Sequence, residues 1–206
     1  MDKSVRFWNR YARKYAKQPI ADPETYQKKL HLTQKYLSPE SSVLEFGCGT
    51  GSTAIIHAPK VKNIVAIDSS QMMVDIANQK LVETGLKNIE FKCATLFDLP
   101  TENKCFDAVL GLNVLHLIDD YEASVRRACD LLKSGGVFVT STVCLSARFS
   151  PLRLVLPIGA ALGLIPRVQF LAVESLERAF VECGFTLIEK LGPKKRSDAV
   201  FLIARK

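Results

Sequence analysis

The chain lacks any C-x-x-C pair, although it holds six cysteines (Cys48, Cys93, Cys105, Cys129, Cys144 and Cys183), and no signal peptide stands ahead of them. A disulfide framework is therefore not expected. Several of these cysteines lie inside apolar runs, where cysteine behaves as a small hydrophobe, and a reducing cytoplasm is the expected compartment. No metal site is expected either. A long hydrophobic run is also missing: the longest uncharged one, 154–165, is too short to cross a bilayer and contains Pro157. The formal charge of +7 comes without a nucleic-acid module, its basic residues being spread over many segments with clusters at 6–17 and 194–196. No nucleic-acid partner is expected. The content is otherwise that of an ordinary globular protein, 48% hydrophobic and 24% charged over 206 residues, which is one domain, 1–206, and not a disordered chain.

What is present centres on residues 43–55, V-L-E-F-G-C-G-T-G-S-T-A-I. A short apolar run with β-branched and aromatic members reads as a buried strand, and Gly47, Gly49 and Gly51 break it before a helix. Glycines at alternate positions let the backbone turn sharply and approach a ligand, because no Cβ intervenes. The following helix points its unpaired N–H groups at the same place. Residues 63–70, N-I-V-A-I-D-S-S, form a second apolar strand that ends in Asp68. A carboxylate at that tip accepts hydrogen bonds from the ribose hydroxyls of a bound nucleoside. The dinucleotide fingerprint G-x-G-x-x-G/A is not met, because Ser52 occupies its sixth position. NAD is thus disfavoured.

With Glu45 two residues before the first glycine, the stretch reads E-x-G-x-G-x-G. It resembles the first motif of class I methyltransferases that use S-adenosylmethionine (SAM), of the ubiquinone/menaquinone-biosynthesis and small-molecule type. The resemblance implies that Glu45 holds the methionine end of SAM, that Gly47, Cys48, Gly49 and Gly51 wrap it, and that Asp68, followed by Ser69 and Met73, binds the nucleoside. The product would be S-adenosylhomocysteine (SAH). Residues 93–100, C-A-T-L-F-D-L-P, stand where related proteins read G-D-A-x-x-L-P, with Thr95 in place of the aspartate that binds the adenine amino group. Ala94, Thr95 and Leu96 are the adenine candidates. Residues 106–116, F-D-A-V-L-G-L-N-V-L-H, resemble the family's fourth-strand pattern and put Asn113 beside the sulfonium. L-K-S-G-G at 132–136 matches a further signature, in which the glycines end a helix reaching Lys133.

The implied fold is α/β, a seven-stranded, mostly parallel, doubly wound sheet with its last strand antiparallel between the fifth and sixth. N-terminal helices (1–38) form a lid and an insertion (144–172) follows the fifth strand. In the first helix Val5, Trp8, Ala12 and Tyr15 recur at helical spacing among basic residues. Tyr15 from this lid and His116, whose ordinary pKa lies near neutrality, are the candidate catalytic residues; His31 and His57 are structural or surface residues. The apolar insertion is either a wall for a small hydrophobic or lipid-like acceptor or a pair of core or dimer helices. Segments 1–17 and 151–171 are the candidates for peripheral membrane contact. The chain is a monomer or a homodimer. A non-catalytic module that keeps the fold and binds SAM or SAH and a protein or membrane partner is the alternative function.

Overall fold

A computed structural model of the chain describes residues 3–100, 105–144, 156–157, 159–160, 163–192 and 199–206. Helices α1 (Lys3–Tyr15) and α2 (Pro23–Gln34) precede the sheet. Then β1 (Ser42–Phe46), α3 (Ser52–His57), β2 (Asn63–Asp68), α4 (Gln71–Thr84), β3 (Ile89–Cys93) and β4 (Phe106–Leu112) alternate. α5 (Tyr121–Leu131), β5 (Leu132–Val143), α6 (Val173–Glu182), β6 (Thr186–Leu191) and β7 (Ala199–Arg205) follow. The sheet order is β3-β2-β1-β4-β5-β7-β6. β1 to β5 run parallel, and β7 lies antiparallel between β5 and β6. This is the expected seven-stranded topology.

Both faces of the sheet are covered, as parallel strands require. On one face Leu44, Phe46, Ile67, Val109 and Phe138 pack on Val125 and Ala128 of α5 and on Leu176 and Phe180 of α6. The Phe138 and Phe180 rings stack with centroids 5.0 Å apart. On the other face Val43, Ile64, Ala66, Leu110 and Val139 meet Leu32 of α2, Ala54 of α3 and Val74 and Ala77 of α4. The alternation along β1 therefore aims Leu44 and Phe46 at one layer and Val43 and Glu45 at the other.

Helix starts follow local chemistry. Asp22 accepts from Thr25 N at 3.0 Å with Pro23 in the first turn, Ser70 accepts from Met73 N at 3.3 Å, and Asp120 accepts from Ala123 N at 2.8 Å. These caps satisfy N–H groups that the helix leaves open. Gly85 closes α4 in the left-handed region, at φ 70°.

Three boundaries are irregular. α2 ends at Gln34, and 35–37 continue only as successive turns, Lys35 N to Leu32 O and Tyr36 N to Thr33 O. α3 stops just ahead of Pro59, which sits inside a 3₁₀ turn, Ala58–Lys60, because a proline is tolerated where its N–H is not needed. Gly135 and Gly136 do not end α5, since Leu132 is already paired with Phe106 in the sheet. The glycines belong to an irregular start of β5, with Gly135 at φ 77° and the β4 register shifting between Phe106 and Ala108. Backbone bonds from Gly135 N to Lys206 O and from Lys206 N to Gly136 O, each 3.0 Å, hold this stretch.

α1 lies across the C-terminal ends of the strands. Asn9 Oδ1 accepts from Ser70 Oγ at 2.8 Å and from Met72 N at 3.2 Å, which pins α1 to the start of α4. Arg10 donates to Gly163 O at 2.7 Å. Of the insertion, 145–155, 158 and 161–162 fall outside the described residues, so the two helices expected there, and part of the 151–171 membrane segment, do too. Among the described residues no helix is long and apolar enough to cross a membrane.

The tightest fit in the sheet is at Gly111 on β4, where a Cβ would stand 2.4 Å from Phe46 Cζ. Phe46 is backed by Phe138 with ring centroids 6.0 Å apart, so it has little room to move. Gly111→Ala should lower stability by about 1–3 kcal/mol, the usual cost of overpacking. Urea denaturation checks this, and an unchanged midpoint would refute it.

Candidate active site

The sheet reverses its strand order between β1 and β4, and ligands of such sheets sit beyond the strand ends at that point. The three glycines of the β1 loop are all left-handed, yet they serve different ends. A Cβ on Gly47 would lie 2.3 Å from Val114 Cγ2, and one on Gly51 would lie 2.5 Å from Phe91 Cζ. Those two positions are glycine because the protein itself packs there. At Gly49 the nearest atom is Tyr15 Cε1 at 3.7 Å, so its surface is open apart from the tyrosine ring. Gly49 is the approach point for a ligand. Lys80 steadies the loop by donating to Thr50 Oγ1 at 2.8 Å and Ser52 Oγ at 3.0 Å.

Two acids meet beneath the loop. Asp68 accepts from Gly49 N through Oδ2 and from Ser70 N through Oδ1, both at 2.8 Å. Burial raises its pKa and these two amides oppose the rise. Glu45, only 3% exposed, is different: its Oε2 is buried and has no hydrogen-bond partner among the described residues. Burial, with the charge of Asp68 adding to it, pushes its pKa up to about 8. An unsatisfied buried carboxyl is costly, and its chemistry fits a cationic ligand group.

Tyr15 reaches this place from α1. Burial of its side chain, then the charges of Asp68, Tyr26 and Glu45, raise its phenol above the ordinary value. At neutral pH it is a donor and not a base. His116 sits in a short 3₁₀ turn, Leu115–Leu117, and is 8% exposed with Nδ1 buried and unpartnered. Burial lowers its pKa to about 4. It does not line the cavity described below, and so weak a base does not fit the role of proton acceptor expected of it. Gln169 fixes the backbone here, donating from N to His116 O at 2.7 Å and from Nε2 to the carbonyls of Ile118 and Asp119.

A cavity of about 1060 Å³ opens beside the loop. At one end it is bounded by Gly47, Ser69, Ala94, Thr95 and Leu96, and at the other by Leu117, Ile118, Leu156, Ile165 and Phe170. Lys3, Ser4 and Val5 of α1 stand at its edge. Thr95 donates both N and Oγ1 to Asp98 Oδ2, at 2.7 and 2.8 Å, so its hydroxyl hydrogen is already committed. Met73 is buried in the first turn of α4. Cys48 turns its thiol into the core, its pKa driven well above normal by burial and by Glu45 and Asp68, and its N–H donates to Ile67 O at 3.0 Å. It shapes the loop through its backbone.

Asn113, at the tip of β4, is the one non-glycine residue with positive φ among those described, at 56°. Such strain collects at functional sites. Its Oδ1 accepts from Ser141 Oγ at 3.1 Å, and Ser141 Oγ in turn accepts from Lys29 Nζ at 2.9 Å. Neither Lys29 nor Ser141 is conspicuous in the sequence. Lys29 reads as a surface lysine of α2, and nothing local ties it to a residue 112 positions away.

Residues 43–136 match the family described as "Methyltransferase domain". These residues carry a methyltransferase domain, and its likeness to known methyltransferases supports the class I type that its motifs resemble. A ubiquinone biosynthesis O-methyltransferase from Chromobacterium violaceum is 31% identical over 153 residues, covering 70% of this chain and 64% of that protein. The chain spans from 38% to 64% of the length of the curated relatives it matches. The [4+2]-cyclase SpnF shares the fold with TM-score 0.73 at 19% identity, over 87% of this chain and 80% of that one. A geranyl diphosphate C-methyltransferase from Streptomyces coelicolor A3(2), solved with Mg²⁺, geranyl diphosphate and SAH, does so with TM-score 0.71 at 15% identity, over 98% and 96%. The methyltransferase domain thus contains the glycine loop, Asp68, Asn113 and His116.

The burial of His116 makes a direct prediction. Its ring should remain neutral down to about pH 4, so NMR titration of its imidazole should show no inflection near the ordinary value of about 6.5. A midpoint in that region would contradict the buried placement.

Proposed function

We propose that the chain transfers the methyl group of SAM to a small, apolar acceptor and releases SAH. The observation that carries this reading is the partnerless Oε2 of Glu45 below the open surface of Gly49. The α-ammonium of the methionine end would satisfy that oxygen. Gly49 leaves room for the chain of the amino acid, Asp68 has lone pairs left for ribose hydroxyls, and Ala94, Thr95 and Leu96 bound the space for adenine. SAM supplies a methyl group already activated by the sulfonium charge, so the protein's work is to orient the acceptor behind it and exclude water. Tyr15 and α1 cover the loop, and the apolar end of the cavity takes the acceptor's body. The relatives' names support methyl transfer. The likeness to a cyclase supports a different chemistry on the same scaffold, and SAM binding without SAH formation would favour that second reading or a non-catalytic module.

Calorimetric titration with SAM, SAH and NAD tests the proposal: micromolar binding of the first two and none of NAD is expected, and failure to bind SAM would overturn it. Asp68→Ala should weaken SAM by about 1–3 kcal/mol, the scale of a lost hydrogen bond to a charged group. Gly49→Val should abolish binding, because the side chain fills the approach surface.

Glu45 adds a pH signature. In the free protein its carboxyl is largely protonated at neutral pH, because its pKa is raised to about 8; a bound ammonium favours the carboxylate and lowers that pKa. Binding therefore expels a proton, and affinity should strengthen as pH rises towards about 8, above which the ligand's own α-ammonium loses its proton. Titrations at pH 7 in buffers of different ionisation enthalpy read the proton directly. Binding heats that do not depend on the buffer would count against it.

A further inference from the structure

We infer that the outer face of α1 is a docking surface for an anionic lipid bilayer. Lys3, Arg6, Arg10, Arg13, Lys14 and Lys17 recur at steps of three and four residues, and every one of them is exposed. At 3.6 residues per turn they fall within an arc of about 100°. Lys17 keeps to that line because its N–H donates to Lys14 O at 3.2 Å, which carries the helix on by a turn. No acid occurs from 3 to 21. Ala12 is buried against the domain and Asn9 bonds to the start of α4, so the basic stripe is left to solvent.

Helix stability does not call for this stripe. Arg13 and Lys14 complement the negative end of the helix dipole, but Lys3 stands at the positive end, where an acid is favourable and none is present. Like charges three and four residues apart also repel. Among the described residues Lys3, Arg10, Arg13, Lys14 and Lys17 form no ion pair. An extended anionic partner relieves both costs.

The surroundings of the stripe select lipid as that partner. Arg10 donates to Gly163 O at 2.7 Å, which brings the 163–164 turn against α1, and Leu164 in that turn is 69% exposed. Phe7 and Tyr11, half-buried and stacked with ring centroids 5.4 Å apart, follow the edge of the stripe, and such side chains favour the boundary between headgroups and acyl chains. The cavity reaches the same helix, with Lys3 and Val5 on its edge together with apolar Leu156 and Ile165. The acids of that edge are engaged, Asp119 with Arg167 at 2.9 Å and Asp120 in the cap of α5. A bilayer meets all of these features at once: headgroup anions take the stripe, Leu164 enters the acyl boundary, and an apolar molecule passes from lipid to cavity without crossing water. A nucleic acid has no use for Leu164 or for an apolar cavity. Because the apolar side of α1 is spent on the domain, charge dominates the docking and salt screens it. Docking by this face does not depend on methyl transfer.

Flotation of the full chain with vesicles tests the surface. Binding is expected to phosphatidylcholine vesicles holding about a third phosphatidylglycerol and not to phosphatidylcholine alone, and it should fall away at about 0.5 M salt. Arg13→Gln with Lys17→Gln should lower the partition coefficient about tenfold or more, whereas the charge-conserving Arg13→Lys with Lys17→Arg should keep it. Leu164→Ser should weaken binding about threefold. No binding to anionic vesicles, equal binding to neutral ones, equal partition of the two double variants, unchanged binding of Leu164→Ser, or tighter capture of a single-stranded RNA at the same ionic strength would each overturn the assignment.

Discussion

The site depends on two carboxyl groups held close together at one end of a parallel sheet, only one of which is satisfied. Two backbone amides meet Asp68 and oppose the rise that burial imposes on its pKa, and one of those amides is Gly49, so the acid also sets the shape of the glycine loop. Glu45 has no such support and sits in the layer beneath. The arrangement is tolerable because the strands on either side are stabilised by apolar burial on both faces, which leaves the strand ends free to carry strain and unmet polarity. A ligand with a positive charge relieves that cost, and the free energy recovered becomes affinity.

The glycine loop itself shows how one motif answers several demands. Gly47 and Gly51 are needed by Val114 and Phe91, protein neighbours that come from β4's tip and from β3. Only Gly49 faces outward. A substitution at any of the three meets left-handed backbone strain, and at the first or third it also clashes with the protein itself.

Much of this was legible because it is local. The strand-glycine-helix order, the acid at the end of β2 and the antiparallel last strand follow from short stretches or from the family pattern they resemble. What was hidden is long-range. The glycine pair at 135–136 looks like a helix stop, and only the pairing of Leu132 with Phe106 makes it part of a strand. His116 carries the right chemistry at the right strand end, but burial decides its pKa, and burial is a property of the packed chain. Lys29 and Ser141 are ordinary residues until α2 crosses the tip of β5. Cys48 lies within the motif, yet the alternation around it turns its thiol inward.

The docking of α1 has a consequence for rates. Tyr15 lies over Gly49 and Lys3 to Val5 edge the cavity, while Asn9 ties the helix to α4 through two hydrogen bonds. Exchange at the Gly49 end requires those contacts to open, so the time a nucleoside spends bound is governed by the lifetime of a helix on its seat. Weakening Asn9 would then quicken both arrival and departure, a change in tempo that an equilibrium constant alone would conceal.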